Sequence, residues 1–220
     1  RKQSDKKNIG KEVRIMKESR EFFKRVDTKM LQQEKCVQEI IRLSEDEGID
    51  LDLARQLDER YGCLEIGDID DMANKYAGDD KWIDNNLSII ENRFAYAIKA
   101  VVDYDEGQII NLRERFYGLG QEYIPDYEGL PIRHIYDLIR DLLLDGGRSE
   151  ELNEVISEDF DEIIWKRTRP STCKYWAYLD VDFNKYYLPL RQEFIDGLTE
   201  KTDVEFKRLD DSVCVLARRM

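Results

Sequence analysis

Four charged residues near the C-terminal end of the sequence have the side-chain types that metal-dependent hydrolases use. Asp180 and Asp182 alternate along the stretch YLDVDF, and Glu205 and Lys207 stand two residues apart in VEFKR. Carboxylates hold divalent cations, and a lysine beside them steadies an attacking water or the developing negative charge. If the four side chains converge, they predict a metal site. If they point separately into water, they form a solvated strand face.

The pair Glu205-x-Lys207 resembles the E-x-K element of the restriction-endonuclease-like group. The resemblance covers only these few residues, and it implies a divalent-metal-dependent nuclease with Asp180, Asp182, Glu205 and Lys207 as its catalytic residues. In that group a direct hairpin joins the aspartate strand to the E-x-K strand, whereas a helix is predicted between them here. The nuclease is therefore the alternative hypothesis and not the leading one.

Other catalytic and cofactor-binding patterns are incomplete. DVDFNKYYLPLR begins like an EF-hand loop but has Lys185 at the glycine position and Arg191 where a glutamate should close the shell. His134 is the only histidine, and the four cysteines are scattered without a C-x-x-C pair, which favours reduced thiols in a cytoplasmic setting over a zinc site. YGLGQEY lacks the Lys-Ser/Thr pair of a phosphate loop. We favour a protein without cofactor or metal, and a non-enzyme over an enzyme.

Charge is distributed unevenly along the chain. The net charge is −13, but residues 1–35 carry twelve Lys/Arg against six Asp/Glu. The most acidic segment, residues 44–71, has eleven acids and only Arg55 and Arg60 as bases. Such a field repels nucleic-acid phosphates and attracts basic proteins. No apolar run approaches the length of a membrane-spanning helix, and the opening RKQSDKKNIG suggests a segment of a longer chain or complex.

These charges favour a non-catalytic interaction or regulatory module that presents an acidic surface to a basic protein partner. A nucleic-acid-mimicking inhibitor is a further alternative, and binding of nucleic acid itself is disfavoured. The aromatic stretch KYWAYLDVDFNKYY adds two candidate apolar anchors, provided that a helix does not cover that face of the predicted strand. The predicted partner-binding residues are Asp46, Glu47, Asp50, Asp52, Asp68, Asp70, Asp71, Trp176 and Tyr178.

Apolar periodicity predicts a mostly helical fold. Ile9, Met16, Phe23 and Met30 recur every seven residues, which indicates one long basic helix at about residues 8–43. Charged Asp27 and Glu34 interrupt its second apolar row, so we expect the helix to lie along a surface. Further helices are predicted at residues 51–61, 69–76, 80–104, 109–120, 131–145 and 149–164.

After Pro170 the pattern changes to strand periodicity. Alternation over residues 175–183 predicts a strand, Pro189 begins a predicted short helix, and DVEFKRL and SVCVLARR predict two strands about an Asp210-Asp211 turn. The predicted fold class is mostly α, with a multi-helix body, a long N-terminal amphipathic helix and a small C-terminal strand-helix-strand-strand (α+β) unit. The predicted division is a helical body at 1–169, with the long basic helix at 1–45 and an acidic helical bundle at 46–169, and a small α+β unit at 170–220. The sequence leaves open whether the two parts share one core.

Overall fold

A computed structural model describes residues 2–123, 129–145, 153–167 and 173–219, with residues 2–15 and 173 described by their backbone alone. The helices are α1 to α8 in chain order: Lys2–Asp46, Leu53–Tyr61, Ile69–Tyr76, Asp80–Tyr104, Ile109–Gln121, Ile132–Leu142, Cys173–Tyr178 and Phe183–Thr199. The strands are β1 to β4: Asn153–Glu158, Glu162–Arg167, Val204–Arg208 and Val213–Arg218. The prediction of a mostly helical fold with a small β part is confirmed.

The two longest helices, α1 and α4, run parallel through the centre of the molecule. The rings of Phe23 and Trp82 lie 5.4 Å apart, and eleven residues further along both helices Arg93 Nη2 lies 3.1 Å from Glu34 Oε1. Because both contacts advance equally, the C-terminal ends of α1 and α4 lie at the same end of the bundle. The predicted long helix is confirmed, and the surface that it follows belongs to its own chain.

The charged residues that interrupt the second apolar row of α1 lie inside the protein. Asp27 is 2% exposed and Glu34 is 8% exposed. A charge is tolerated at such a place when a partner or a proton neutralises it. Arg93 supplies that partner for Glu34. Burial raises the pKa of Asp27 to about 6.

Helices α5 and α8 cross at two glycines. A Cβ atom on Gly120 would lie 2.0 Å from the carbonyl oxygen of Phe194, and one on Gly197 would lie 2.0 Å from that of Tyr117. The two backbones therefore approach each other more closely than any side chain permits. The glycines of YGLGQEY, which are irrelevant to phosphate binding, include one that lets these helices touch.

The four strands form one antiparallel sheet in the order β1-β2-β4-β3. Residues 153–164, which cover β1 and the first half of β2, were predicted as part of a helix, which is wrong. The register of β1 against β2 shifts between Val155 and Ser157, a bulge that moves the following side chains to the other face. Ile156 and Phe160 are also exposed, at 57% and 78%. Together the bulge and the exposed apolar residues reproduced a helical period by coincidence.

The strand predicted at residues 175–183 is also wrong. Residues 173–178 form the short helix α7, Asp180 has a left-handed φ of 55°, and Asp182 caps the N-terminus of α8. The alternation of apolar residues fitted a strand, but the Asp182 cap starts a helix immediately after it. Helix α8 begins at Phe183, six residues before Pro189, which lies inside it. The predicted hairpin about Asp210 is confirmed.

The sheet crosses the predicted division between residues 169 and 170. Strand β2 precedes this point and pairs with β4, which follows it. Trp165 on β2 packs against Phe206 on β3 at 5.9 Å and against Tyr136 on α6 at 5.1 Å, measured between ring centroids. The buried apolar residues from Phe23 to Leu216 belong to one continuous cluster. Within the described ranges, no helix combines the length and apolarity that crossing a bilayer requires.

Candidate functional site

Acidic residues gather where α1 and α4 end. This group, here called the acidic end surface, lies at the α1–α2 corner and in the last turn of α4. Its members are all exposed: Glu45, Asp46, Glu47, Asp50, Asp52 and Asp103. Helix α2 leads back along the bundle, because its Gln56 and Asp58 contact Tyr96 and Arg93 of α4. The corner therefore projects at the end of the bundle.

The acidic end surface opposes the ordinary electrostatics of helix ends. A helix C-terminus carries the negative end of the backbone dipole and is stabilised by a basic residue in its last turn. Neither α1 nor α4 has such a residue. Asp46 pairs with Arg115 at 2.5 Å, Asp103 pairs with Lys99 at 2.7 Å, and Asp52 pairs with Arg55. The two ends together thus concentrate negative potential.

Three acids at this corner, Glu45, Glu47 and Asp50, form no salt bridge in the described part of the chain, and two of them flank a tight turn. Glu47 and Asp50 are exposed, and no salt bridge within the described part of the chain involves either of them. Gly48 stands between them with a φ of 65°, which a glycine adopts without strain. The corner therefore holds two uncompensated carboxylates on a tight turn.

The other predicted acids, Asp68, Asp70 and Asp71, lie elsewhere. Asp68 caps α3 by accepting hydrogen bonds from the backbone N–H groups of Asp70 and Asp71, at 2.9 and 3.2 Å. Asp70 pairs with Lys24 and Arg20 of α1, and its hydrogen bond from Lys24 lowers its pKa. Lys24 precedes the end of α1 by about 33 Å at 1.5 Å per residue. The seven predicted acids therefore form two groups.

The two predicted aromatic anchors differ in exposure. Trp176 is fully buried, and its ring packs edge-on against Phe94, Phe183 and Tyr187 at centroid distances of 5.8–6.0 Å. Its prediction as a surface anchor is corrected, because α7 directs this side chain into the core. Tyr178 is 83% exposed, so its side chain remains accessible to a partner.

The structure does not assemble the residues of the nuclease alternative. Asp182 lies at the N-terminal end of α8, where it accepts a hydrogen bond from Lys185 N at 3.0 Å. Glu205 lies beside Glu200 at the other end of α8, and its carboxylate pairs with Lys207. Helix α8 spans 17 residues, about 25 Å. Asp180 is exposed in the turn before α8. No grouping of three or more metal-ligand side chains occurs in the ranges that the structure describes.

The remaining nucleophile candidates show no catalytic arrangement. His134 is exposed on α6. Cys36 is 6% exposed, and burial raises the pKa of its thiol to about 12, which leaves it protonated and unreactive. Cys214 is 2% exposed on β4, and Cys63 is exposed after α2, where it hydrogen-bonds to Asp58.

Sequence analysis missed two buried ionic centres. At the first, Arg93 donates to Glu34, to Asp58 at 2.6 Å and to the carbonyl of Gly62 at 2.8 Å, so one guanidinium joins α1, α2 and α4. The only sequence signal was an arginine on the apolar face of α4. A single charge on such a face indicates a buried ion pair when an acid interrupts the facing helix, as Glu34 does.

The second centre joins α8 to the segment after α6. Arg191 donates two hydrogen bonds of 2.8 Å to the carboxylate of Asp145, and the Tyr187 hydroxyl donates a third at 2.6 Å. Burial would raise the pKa of Asp145, but attraction from Arg191 and Arg167 outweighs it and holds that pKa well below its usual range. The bidentate geometry fixes a permanent ion pair, which serves packing and not proton transfer.

Comparison with known proteins identifies no relative. No protein-family model matches this sequence, no curated protein matches it, and no solved structure matches its fold.

Proposed function

We propose that this protein is a non-catalytic interaction module that docks a basic protein segment on its acidic end surface. The observation that supports the proposal is the coincidence of two helix C-termini, both without basic residues, with the uncompensated carboxylates of Glu47 and Asp50. Negative side chains near the negative end of a helix dipole destabilise the fold. A cationic partner at this surface is therefore attracted both by the carboxylates and by the two helix dipoles.

A double charge reversal tests this proposal. Glu47→Lys/Asp50→Lys replaces the two unpaired acids beside the turn at Gly48. Both side chains are exposed and form no salt bridge in the described structure, so the substitutions leave the core intact. We expect its affinity for a short labelled lysine-rich peptide to fall about tenfold at low salt, equivalent to ~1.4 kcal/mol, and the difference to shrink as salt rises. Fluorescence anisotropy over a salt series measures this effect, and quantitative affinity purification with both proteins measures the loss of natural partners.

A matched control has the same change of net charge elsewhere. Asp71→Lys/Glu154→Lys alters exposed acids on α3 and β1, and we expect it to retain most of the affinity. Equal losses in both variants would show a response to net charge alone and would refute the proposed surface. A greater loss in the control would place binding at the second acidic group. If duplex DNA displaces this protein from a purified natural partner, the result would instead favour the nucleic-acid mimic.

A further inference from the structure

The interior holds a carboxyl group that the proposed function does not use. Glu91 on α4 is 1% exposed, and in the described part of the protein no donor lies in hydrogen-bonding geometry to either of its carboxyl oxygens, although the Gln33 amide is a neighbour. Asp145 shows the contrast, since Arg191 binds both of its oxygens. An ionised carboxylate is strongly disfavoured where neither water nor a donor reaches it, so such a group takes up a proton.

Two buried donors in the same region also lack acceptors. Gln33 on α1 and Trp176 on α7 each have a buried side-chain N–H group without a hydrogen-bond partner. Gln33 also lines a small cavity of about 20 Å³, together with Phe94, but neither Glu91 nor any residue of α7 lines it. The junction of α1, α4 and α7 thus holds a carboxyl group and two N–H donors that make no hydrogen bond in the described part of the protein.

The surrounding charges do not compensate for an ionised Glu91. Asp145 adds negative charge and raises the pKa of Glu91, while the neighbouring Gln33 amide and Lys174 lower it. Burial is the largest influence and raises that pKa to about 8. Among the charged and titratable side chains, Asp145 and Lys174 act on Glu91 directly, whereas Arg167, Arg191 and Tyr187 act on Asp145. Both arginines interact with Asp145, which leaves Glu91 without an ion pair.

We propose that Glu91 is a buried proton-binding site that makes the α1–α4–α7 junction sensitive to pH. The neutral acid fits the junction, and loss of its proton to solvent places an unpaired negative charge between the helices and loosens them. This proposal rests on the interior geometry and is independent of the proposed function, because it does not involve the acidic end surface.

The change Glu91→Gln tests the proposal, because glutamine has the same shape and cannot ionise. A carboxyl whose pKa is higher in the folded state loses stabilisation as pH rises from its unfolded value through its folded value. With values of 4.5 and about 8, the wild-type unfolding equilibrium constant should increase roughly 400-fold more between pH 5 and pH 8 than that of the variant. Urea denaturation at both pH values, followed by circular dichroism, measures the difference.

Two other carboxyls, those of the buried Asp27 and the half-buried Asp196, serve as an internal reference. Burial raises the pKa of Asp27 and Asp196 to about 6, so both add to the pH dependence of wild type and variant alike. The proposal therefore concerns the difference between the two proteins. An identical pH dependence in both would refute it. Glu154→Gln, on the exposed face of β1, should behave as wild type.

Infrared spectroscopy of the folded wild type supplies a readout that does not depend on the variant's stability. At pH 6 the spectrum should contain the C=O stretch of a protonated carboxylic acid in a dry environment, and this band should disappear on titration through about pH 8. Amide hydrogen exchange in α4 and α7, corrected for intrinsic rates, should accelerate over the same range. Absence of the acid band at pH 6 would overturn the assignment even if Glu91→Gln failed to fold.

Discussion

The glycine crossing of α5 and α8 gives a sharp test of the packing. Gly120 and Gly197 each face a backbone carbonyl oxygen of the opposite helix, at 2.0 Å from an added Cβ atom. Because the obstacle is backbone and not a flexible side chain, no rotamer change relieves it. Gly120→Ala must therefore separate the two helices. Ordinary contact begins at 3.4 Å, so the required separation is about 1.4 Å.

The cost of this separation follows from the packing that it disturbs. A gap of about 0.5–1 Å already forfeits a quarter to a half of the dispersion energy between facing atoms, and the larger separation here affects an interface that includes the buried Phe194 and Leu198. Overpacking of a core costs about 1–3 kcal/mol or more, and the backbone contact places this change at the high end. Alanine regains ~1 kcal/mol through helix propensity. We expect a net loss of about 2 kcal/mol and a decrease in Tm of roughly 6 °C.

Gly118 provides a matched control two residues away on α5. An added Cβ atom there has no neighbour within 4 Å. Gly118→Ala should therefore stabilise the protein by up to ~1 kcal/mol. Thermal and urea denaturation followed by circular dichroism compares both variants with wild type. If Gly120→Ala is as stable as Gly118→Ala, the close crossing of α5 and α8 is incorrect.

Two further predictions concern the buried ion pairs. Asp145→Asn leaves Arg191 buried without its counter-charge and should lower the free energy of unfolding by about 3–5 kcal/mol at neutral pH. Because the pKa of Asp145 is depressed in the folded protein, the ion pair stabilises the fold above the ordinary pKa of 3.8. The difference in unfolding free energy between variant and wild type should therefore narrow as pH falls below 3.8. A constant difference down to acid unfolding would contradict this reasoning. Arg93→Ala leaves the buried Glu34 without its ionic partner and should lower the free energy of unfolding, measured by urea denaturation, by about 3 kcal/mol. As a control, Arg55→Ala at an exposed ion pair should leave stability unchanged. Equal effects of the two substitutions would contradict a stabilising role for the Arg93 centre.

Long helices were predictable because their period repeats over many turns. The seven-residue apolar repeat of α1 and the apolar stripe of α4 both indicated helices, and α4 was predicted at the bounds that the structure shows. Short elements failed where few residues determine the period. In β1 and β2, a bulge and the exposed Ile156 and Phe160 combined to mimic a helix. In α7, six residues at a strand-like spacing form barely two turns.

The candidate site was predictable in composition but not in arrangement. Net charge over residues 44–71 follows from the sequence alone, yet the separation of its acids into two groups depends on the path of α1. Sequence also places Asp70 near no particular base, whereas Lys24 and Arg20 reach it across tertiary packing. The interior proton site depends on missing partners, and only a three-dimensional structure reveals which donors fail to reach Glu91.

The strand order has a consequence for synthesis on the ribosome. Strand β2 lies in the middle of the sheet, but its partner β4 begins about 50 residues later in the chain. A nascent chain therefore displays the open edge of β2 until α7, α8 and β3 have emerged. Open edges recruit other strands, so we expect the interval between β2 and β4 to be when this protein most needs a chaperone.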